Sequence, residues 1–325
     1  MAQALRFTPQ QPARTLGPAD LPGEPGGGLW VDLLRGHLQP APEHPWQEPL
    51  GQWMQRLHPL TTRTLRQEEP TRLAAAQERY VHVRLQAVTD GEVGSATRST
   101  VTVDVVLGVG FALTVGAREI PAWRAVWDAY ATGHRQADGV DFAIYHALAA
   151  LVEAYRRAAR RLTLAAEGID QRLVRLSERH ILSEIVGVRR QAIDLRQSLV
   201  SARDGLQLLA GGGGGEPVAP ENRPYFADLR REVAEAVATV EATREAMGEA
   251  VEAFTSVQST QMNRVMQVFT VLAVVIAPPM LVASIYGMNF RIPEYRWPHG
   301  YAYALGLIVT LIALAYGYVR GRHWL

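Results

Sequence analysis

"VMQVFTVLAVVIAPPMLVASIYGMNF" (Val265–Phe290) contains no Asp, Glu, Lys or Arg, and neither does "WPHGYAYALGLIVTLIALAYGYV" (Trp297–Val319) just after it. A hydrocarbon core is crossed by about 20 helical residues rising ~1.5 Å each, so either run can span one. Tyrosines sit at both margins of the second run and Arg320 and Arg322 follow it, as expected at headgroup depth. The segments read as a first span over 263–286, a polar loop over 287–300, a second span over 301–319 and a tail over 320–325. The alternative is a pair of core helices in a large soluble protein.

The rest of the chain is ordinary in composition. Hydrophobic residues make up 48% and the mean hydropathy is −0.05, so the apolar content is concentrated at one end. The 325 residues leave room for one sizeable soluble domain, or two small ones, ahead of the hairpin. A net charge of +1, without a basic stripe interleaved with aromatics, gives no reason to expect a nucleic-acid partner. The absence of cysteine removes disulfides, thiolate metal sites and Cys nucleophiles together, and fits a reducing compartment. Every basic side chain is Arg, with no Lys. The N-terminus "MAQALRFTPQQPARTLGPAD" has no apolar h-region, so no signal peptide is expected and the large domain is expected to stay unexported.

Along the chain, residues 1–28 are rich in Pro and Gly and read as a flexible extension. β-Branched enrichment and alternation then predict strands at Leu29–Leu34, Tyr80–Val88, Ser99–Gly108 and Gly110–Ala117, with a Gly-bearing break at "TDGEVGS" and a helix around "HPLTTRTLRQ". These make a small mixed α/β domain over 29–140. From Asp141 the strand signals stop, and 141–262 reads as helical, interrupted by a Gly/Pro-rich connector over 211–223. The last helix is marked by Pro224, and its apolar positions Leu229, Val233, Val237, Val240, Met247, Val251 and Phe254 form one stripe. No breaker separates it from the first span, so a stalk of roughly 90 Å at ~1.5 Å per residue becomes a membrane helix.

The order of these pieces resembles the CorA family of divalent-cation channels. "YGMNF" (Tyr286–Phe290) follows a proline-containing span and is followed by "IPE", "RW", "GY", a second span and a basic tail ending in "HWL". Further parallels are "HPL" (His58–Leu60), "RPYFADL" (Arg223–Leu229) and "MNRVM" (Met262–Met266). The Gly-Met-Asn triplet alone carries no weight; its place between two C-terminal spans does. The resemblance implies an α+β cytoplasmic domain on a long stalk helix that continues into a two-helix hairpin, five copies forming a homopentameric funnel. It also implies an inner (plasma) membrane location, both termini cytoplasmic and the Asn-bearing loop outside. The chain's own charges, Arg264, Arg320 and Arg322 against Arg291 and Arg296, add only a thin positive-inside margin.

Asn263, Met266, Phe269, Ala273, Ala277, Met280 and Ser284 share one helical face. Spacing alone fits a helix-packing stripe of small residues equally well; the resemblance makes them pore-lining. That lining is uncharged, and a magnesium ion holds its waters tightly, so such a path suits a hydrated or partly hydrated ion. By the resemblance Gly287, Met288 and Asn289 form the selectivity loop, where Asn289 amides would meet those waters from outside the hydration shell, and Met266 and Phe269 form an apolar constriction. The cargo implied is Mg2+, with Co2+ and Ni2+, and no cofactor or enzymatic activity is expected. The run "GGGGG" lacks the Lys and Ser/Thr of a phosphate-binding loop.

Two departures bear on this expectation. Members of the family carry several acidic residues after the Asn, whereas Glu294 is the one acidic residue at the outer mouth here, flanked by Arg291 and Arg296. Members closed by internal magnesium pair a stalk carboxylate with one in the α/β domain: Asp228 matches the first, but Thr64 stands at the second position. Asp228 also reads as a charge in the first turn of a helix. The half-site leaves open a ZntB-like transporter moving Zn2+, coupled to protons, with His299 and His323 near the two membrane faces but without a second ligand at zinc spacing. A non-conducting, membrane-anchored helical scaffold is the alternative of another class.

Overall fold

The computed structural model describes residues 2–8, 11–38, 45–67, 74–88, 100–136, 139–173, 180–211, 216–289 and 293–321. The sequence-predicted break "TDGEVGS", most of the pentaglycine run, Phe290–Ile292 and the residues from Arg322 onward, His323 included, lie outside these. The elements are β1 (Gln3–Arg6), β2 (Arg14–Leu16), β3 (Leu29–Leu34), α1 (Gln47–Arg56), α2 (Pro59–Arg66), β4 (Ala74–Ala76), β5 (Tyr80–Val88), β6 (Thr100–Gly108) and β7 (Phe111–Gly116). Then come α3 (Pro121–Ala131), α4 (Val140–Leu173), α5 (Ile181–Ala210), α6 (Arg223–Tyr286) and α7 (Gly300–Gly321). They fall into two compact units, Met1–Ala250 and Val251–Leu325.

The first unit is a three-layer α/β fold around one mixed sheet of order β2-β1-β3-β7-β6-β5-β4. Only β3 and β7 run parallel; every other neighbour is antiparallel. Strand alternation divides the core. Leu29, Val31, Leu33, Val106, Leu113 and Val115 face α1 and α2, whose Leu50, Trp53, Met54 and Leu65 complete that layer. On the other face Val83, Leu85 and Val105 meet Leu148, Leu151 and Tyr155 of α4 and Ala202, Gly205 and Leu206 of α5. A Cβ on Gly205 would lie 2.2 Å from Val83 Cγ1, so α5 can approach β5 this closely only through a glycine.

The described part of residues 1–28 contributes β1 and β2 to this sheet rather than forming a flexible extension. β1 pairs with both β2 and β3, and Ala4 and Leu5 are fully buried. Strands of four and three residues are too short to show a clean period, and the Pro/Gly content masked them. The glycines serve geometry: Gly27 and Gly28 have φ of 67° and 73°. Gly28 accepts from Phe7 N–H at 2.7 Å and donates to Gly110 O at 2.7 Å, joining β1, β3 and the β6–β7 turn. The expected boundary at residue 140 also differs, because α4 and α5 cover the sheet and belong to the same unit. Within the expected 211–223 connector, the described part is anchored: Ala219 N–H and Asn222 Nδ2 donate to Asp141 Oδ2 at 3.0 and 2.9 Å.

Asp104 holds the middle of the sheet. It is fully buried and meets Arg35 Nη2 at 2.8 Å, Arg84 Nε at 2.9 Å and His82 Nε2 at 2.8 Å. The two guanidinium groups also donate to Gln67 O, and Arg84 to Thr64 O, tying down the carbonyl end of α2. The other end of α2 is fixed by Tyr80, whose hydroxyl accepts from His58 N–H at 2.9 Å and donates to Thr61 Oγ1 at 2.9 Å. Removing one member of such a buried set strands charge without water, at a cost of about 3–5 kcal/mol. Asp104→Asn is therefore expected to lower the unfolding temperature of the full chain in detergent by many degrees; an unchanged melting temperature would remove Asp104 from this role.

Candidate functional site

α6 is one helix with two kinds of surface. Up to Ala250 its buried residues, Phe226, Leu229, Val233, Val237, Val240, Thr243 and Met247 among them, recur at three- and four-residue spacing. This stripe is held by α4 through Arg156–Glu232 at 3.2 Å and Thr163–Thr243 at 3.2 Å, and by α5 through Arg196–Glu241 at 2.6 Å. Beyond Val251 the pattern inverts. In the most apolar 18-residue windows of α6 and α7 only 6% of residues are buried inside the structure. A soluble core helix of that composition would be covered, since each large apolar side chain left in water forgoes about 1.5–3 kcal/mol. Phe269, Met280, Leu281, Val309 and Leu314 are each more than 60% exposed, which fits lipid or protein neighbours and not water.

The second unit sorts the faces of α6. From Val265 to Tyr286 its partly covered residues are Val271, Val275, Pro278, Pro279, Val282 and Tyr286. At about 100° per residue these lie on the side opposite the sequence-predicted face of Asn263, Met266, Phe269, Ala273, Ala277, Met280 and Ser284. All seven of those residues are exposed in the single chain. On α7 the less exposed residues Ala304, Leu307, Ile308, Leu311, Ala315 and Val319 form a matching stripe. The uncharged face is thus left free while the opposite face is shielded. Pro278 and Pro279 lie inside α6 and take hydrogen-bond donors from the carbonyls four residues earlier, those of Val274 and Val275.

The helix ends in a tight turn at the predicted loop. Gly287 N–H donates to Ala283 O at 3.0 Å and to Ser284 O at 3.2 Å, and Met288 N–H donates to Ile285 O at 3.2 Å. A Cβ on Gly287 would sit 3.3 Å from Ala283 O, tighter than ordinary contact, so a larger residue would push the turn outward. Met288 and Asn289 follow, both exposed. After the undescribed stretch, a 3-10 turn over Pro293–Arg296 leads into α7, and Gly300 packs so close to it that a Cβ would lie 2.2 Å from Glu294 O. Glu294, expected at the outer mouth, is partly buried, and among the described residues its Oε2 has no hydrogen-bond partner. Trp297 and Tyr303 meet edge to face at 5.6 Å, an aromatic pair at the start of the second membrane-length helix.

The half-site of the soluble unit is also visible. Asp228 lies beyond the first turn of α6, which holds no acidic residue, so it is not a first-turn charge. It pairs with Arg231 and lines an open groove of about 890 Å³ together with Arg203, Asp204, Gln207 and Arg230. Three guanidinium groups against two carboxylates make that groove a poor seat for a cation. Thr64 turns its hydroxyl onto its own helix, donating to Leu60 O at 2.8 Å. Among the described residues no group of three or more His, Asp or Glu side chains is placed to hold a metal ion. Asp228→Asn is accordingly expected to leave the effect of millimolar magnesium on the melting temperature of the full chain unchanged; loss of a magnesium-induced shift would show that Asp228 binds the ion.

Helical spacing in the sequence defines the neutral face but not the division of α6 into a less and a more exposed side. Comparison with known proteins follows the same geometry. The family model described as "CorA-like Mg2+ transporter protein" matches residues 40–320. A cobalt/magnesium transport protein CorA from Methanocaldococcus jannaschii is 27% identical over 192 residues, 58% of this chain and 59% of that relative, so the alignment covers somewhat over half of the curated protein. The solved CorA magnesium transporter from the same organism superposes with a TM-score of 0.80 at 20% identity, over 100% of this chain and 99% of that one. The ZntB cytoplasmic domain from Vibrio parahaemolyticus gives a TM-score of 0.63 at 10% identity, over 79% of this chain and 98% of the domain.

Proposed function

This chain belongs to the CorA-like Mg2+ transporter family, and on that footing we propose that it carries hydrated divalent cations, Mg2+ first and Co2+ and Ni2+ with it, through the bacterial-type inner membrane. The observation that carries the reading is the free, uncharged face of α6 ending at Asn289, opposite the face shielded in its own unit. One chain cannot enclose a path with one helix face. Five copies arranged as a homopentamer would turn the seven residues into a lined pore and Asn289 into a ring of amides.

The chemistry follows from the cargo. Magnesium gives up its six waters reluctantly, so a path without carboxylates lets the shell pass whole. Asn289 amide oxygens accept from those waters, Gly287 keeps the turn tight, and Met288 supplies a neutral collar. Met266 and Phe269, 61% and 65% exposed on the single chain, would form an apolar ring that conducts when wet and blocks when dry. The driving force needs no nucleotide: a doubly charged ion entering a negative interior gains about 4.6 kcal/mol per 100 mV, twice the single-charge value. With Glu294 partly buried, collection of ions at the mouth is weak, and the cytoplasmic placement of the first unit and both termini belongs to the same proposal.

Zinc transport of the ZntB kind is the second reading. It is favoured by Thr64, whose hydroxyl is turned onto its own helix where magnesium-gated members need a carboxylate. Asn289→Ala separates conduction from anchoring. Its uptake of magnesium into cells is expected to fall at least a hundredfold while the detergent-extracted assembly keeps its native mass. Full uptake by that variant would contradict the assignment.

A further inference from the structure

Two acidic side chains sit on opposite faces of the central sheet, Asp104 fully buried and Asp32 partly buried, and they are treated differently. Asp104, on the α2 face, is held by two guanidinium groups. Asp32, on the α3 face of β3, pairs across the parallel ladder with Thr114, whose hydroxyl donates to Asp32 Oδ1 at 2.5 Å while accepting from Trp30 Nε1 at 3.0 Å. Gln3 of β1 supplies a second, neutral hydrogen bond. Among the described residues no Arg pairs with Asp32. Of the two arginines that line the crevice with Asp32, Arg118 and Arg124, the second is engaged by Glu119 at 3.7 Å, Asp128 at 3.1 Å and Gln3 Oε1 at 3.4 Å.

The position is where an open α/β sheet forms a crevice. β3 and β7 are the parallel pair, and beyond their carboxyl ends the chain departs toward α1 and α2 from one and toward α3 from the other. A small cavity of about 30 Å³ lies there, lined by Asp32, Gly116, Arg118, Glu119, Trp123 and Arg124. That is room for about one water. Trp123, in the first turn of α3, is 5% exposed, and among the described residues its indole N–H has no hydrogen-bond partner. An unmet donor and an uncompensated carboxyl thus line one crevice between the sheet and the start of a helix.

We propose that this crevice is a proton-responsive joint: with a proton on Asp32 the first turns of α3 are seated on the sheet, and its loss favours an opened crevice in which water reaches both Asp32 and Trp123. An ionised carboxylate held by neutral donors gains from solvent, whereas the neutral acid does not. Burial pushes Asp32 up to about 6, with Glu119 acting in the same direction and Thr114, Gln3 and the chain's amino group acting against it. In the opened crevice Asp32 returns toward the ordinary value of 3.8. The closed form therefore binds the proton more tightly. Seating weakens as pH rises from about 4 to about 6 and is constant above. α3 packs along α4, and α4 is joined to α6 by Arg156–Glu232 and Thr163–Thr243, so the joint lies one helix away from the long one.

The test is hydrogen exchange of the α3 amides in the full-length protein, in lipid nanodiscs, from pH 4 to 7.5 and corrected for intrinsic rates. Wild-type protection is expected to fall by up to about a hundredfold between pH 4 and 6, the ratio set by the two proton affinities, and then to level off. Asp32→Asn, which keeps the shape and cannot ionise, should hold α3 protected at every pH, and Glu119→Gln should bring the plateau to lower pH. A flat wild-type profile, a pH-dependent Asp32→Asn, or a plateau moved upward by Glu119→Gln would each overturn the proposal.

Discussion

One helix has to satisfy two solvents. α6 buries a narrow apolar stripe against α4 and α5 until Ala250, and from Val265 to Tyr286 it presents uncharged, mostly apolar side chains all round. Charge can be carried along the first part because the polar sides face water; none can be carried along the second, because no water is there to solvate it. The rest of the architecture follows from that change within an unbroken helix. Neighbours are required along the stripe, which α4 and α5 provide, and the charge-free segment is partly covered on one side only.

What remains on the other side is a column of Asn, Met, Phe, Ala and Ser side chains that, as the proposed pore lining, would offer a passing ion neither a strong ligand nor a repelling charge. A bare divalent ion would find nothing there to replace its water. In the proposed pore a hydrated one would need only hydrogen-bond acceptors, and Asn289, which follows the turn at Gly287, would supply them. The soluble unit shows the reverse arrangement. Its buried charge at Asp104 is matched by two arginines, which also fix α2 to the sheet, while Asp32 on the opposite face is left to neutral donors.

Much of this was legible in the sequence, for identifiable reasons. Long strands such as Tyr80–Val88 alternate over enough residues to declare themselves, and a charge-free run of membrane length is what a hydrocarbon core demands of a helix. β1 and β2 were hidden because strands of four and three residues have no measurable period, and because Gly27 and Gly28 look like flexibility when they are positive-φ positions that seat Phe7 against β3. The neutral face of α6 could be drawn from helical spacing, yet its being the more exposed side could not, because exposure depends on tertiary neighbours. Likewise the spacing of "HPL" marks a helix start through Pro59, but not the Tyr80 hydroxyl and the two arginines that pin both ends of α2. Glu294 shows the limit of reading charge as exposure, since it is partly buried within the turn that leads into α7.

The central claim is that this chain passes a hydrated divalent ion down an electrical gradient. The most direct measurement is the uptake of magnesium, cobalt, nickel and zinc by liposomes containing the purified protein, with and without an imposed membrane potential and an imposed pH gradient. Magnesium and cobalt flux that rises with an inside-negative potential and ignores the pH gradient is the predicted result. Zinc flux that rises with an inward proton gradient would contradict the magnesium assignment, and the absence of flux for every ion would contradict conduction itself.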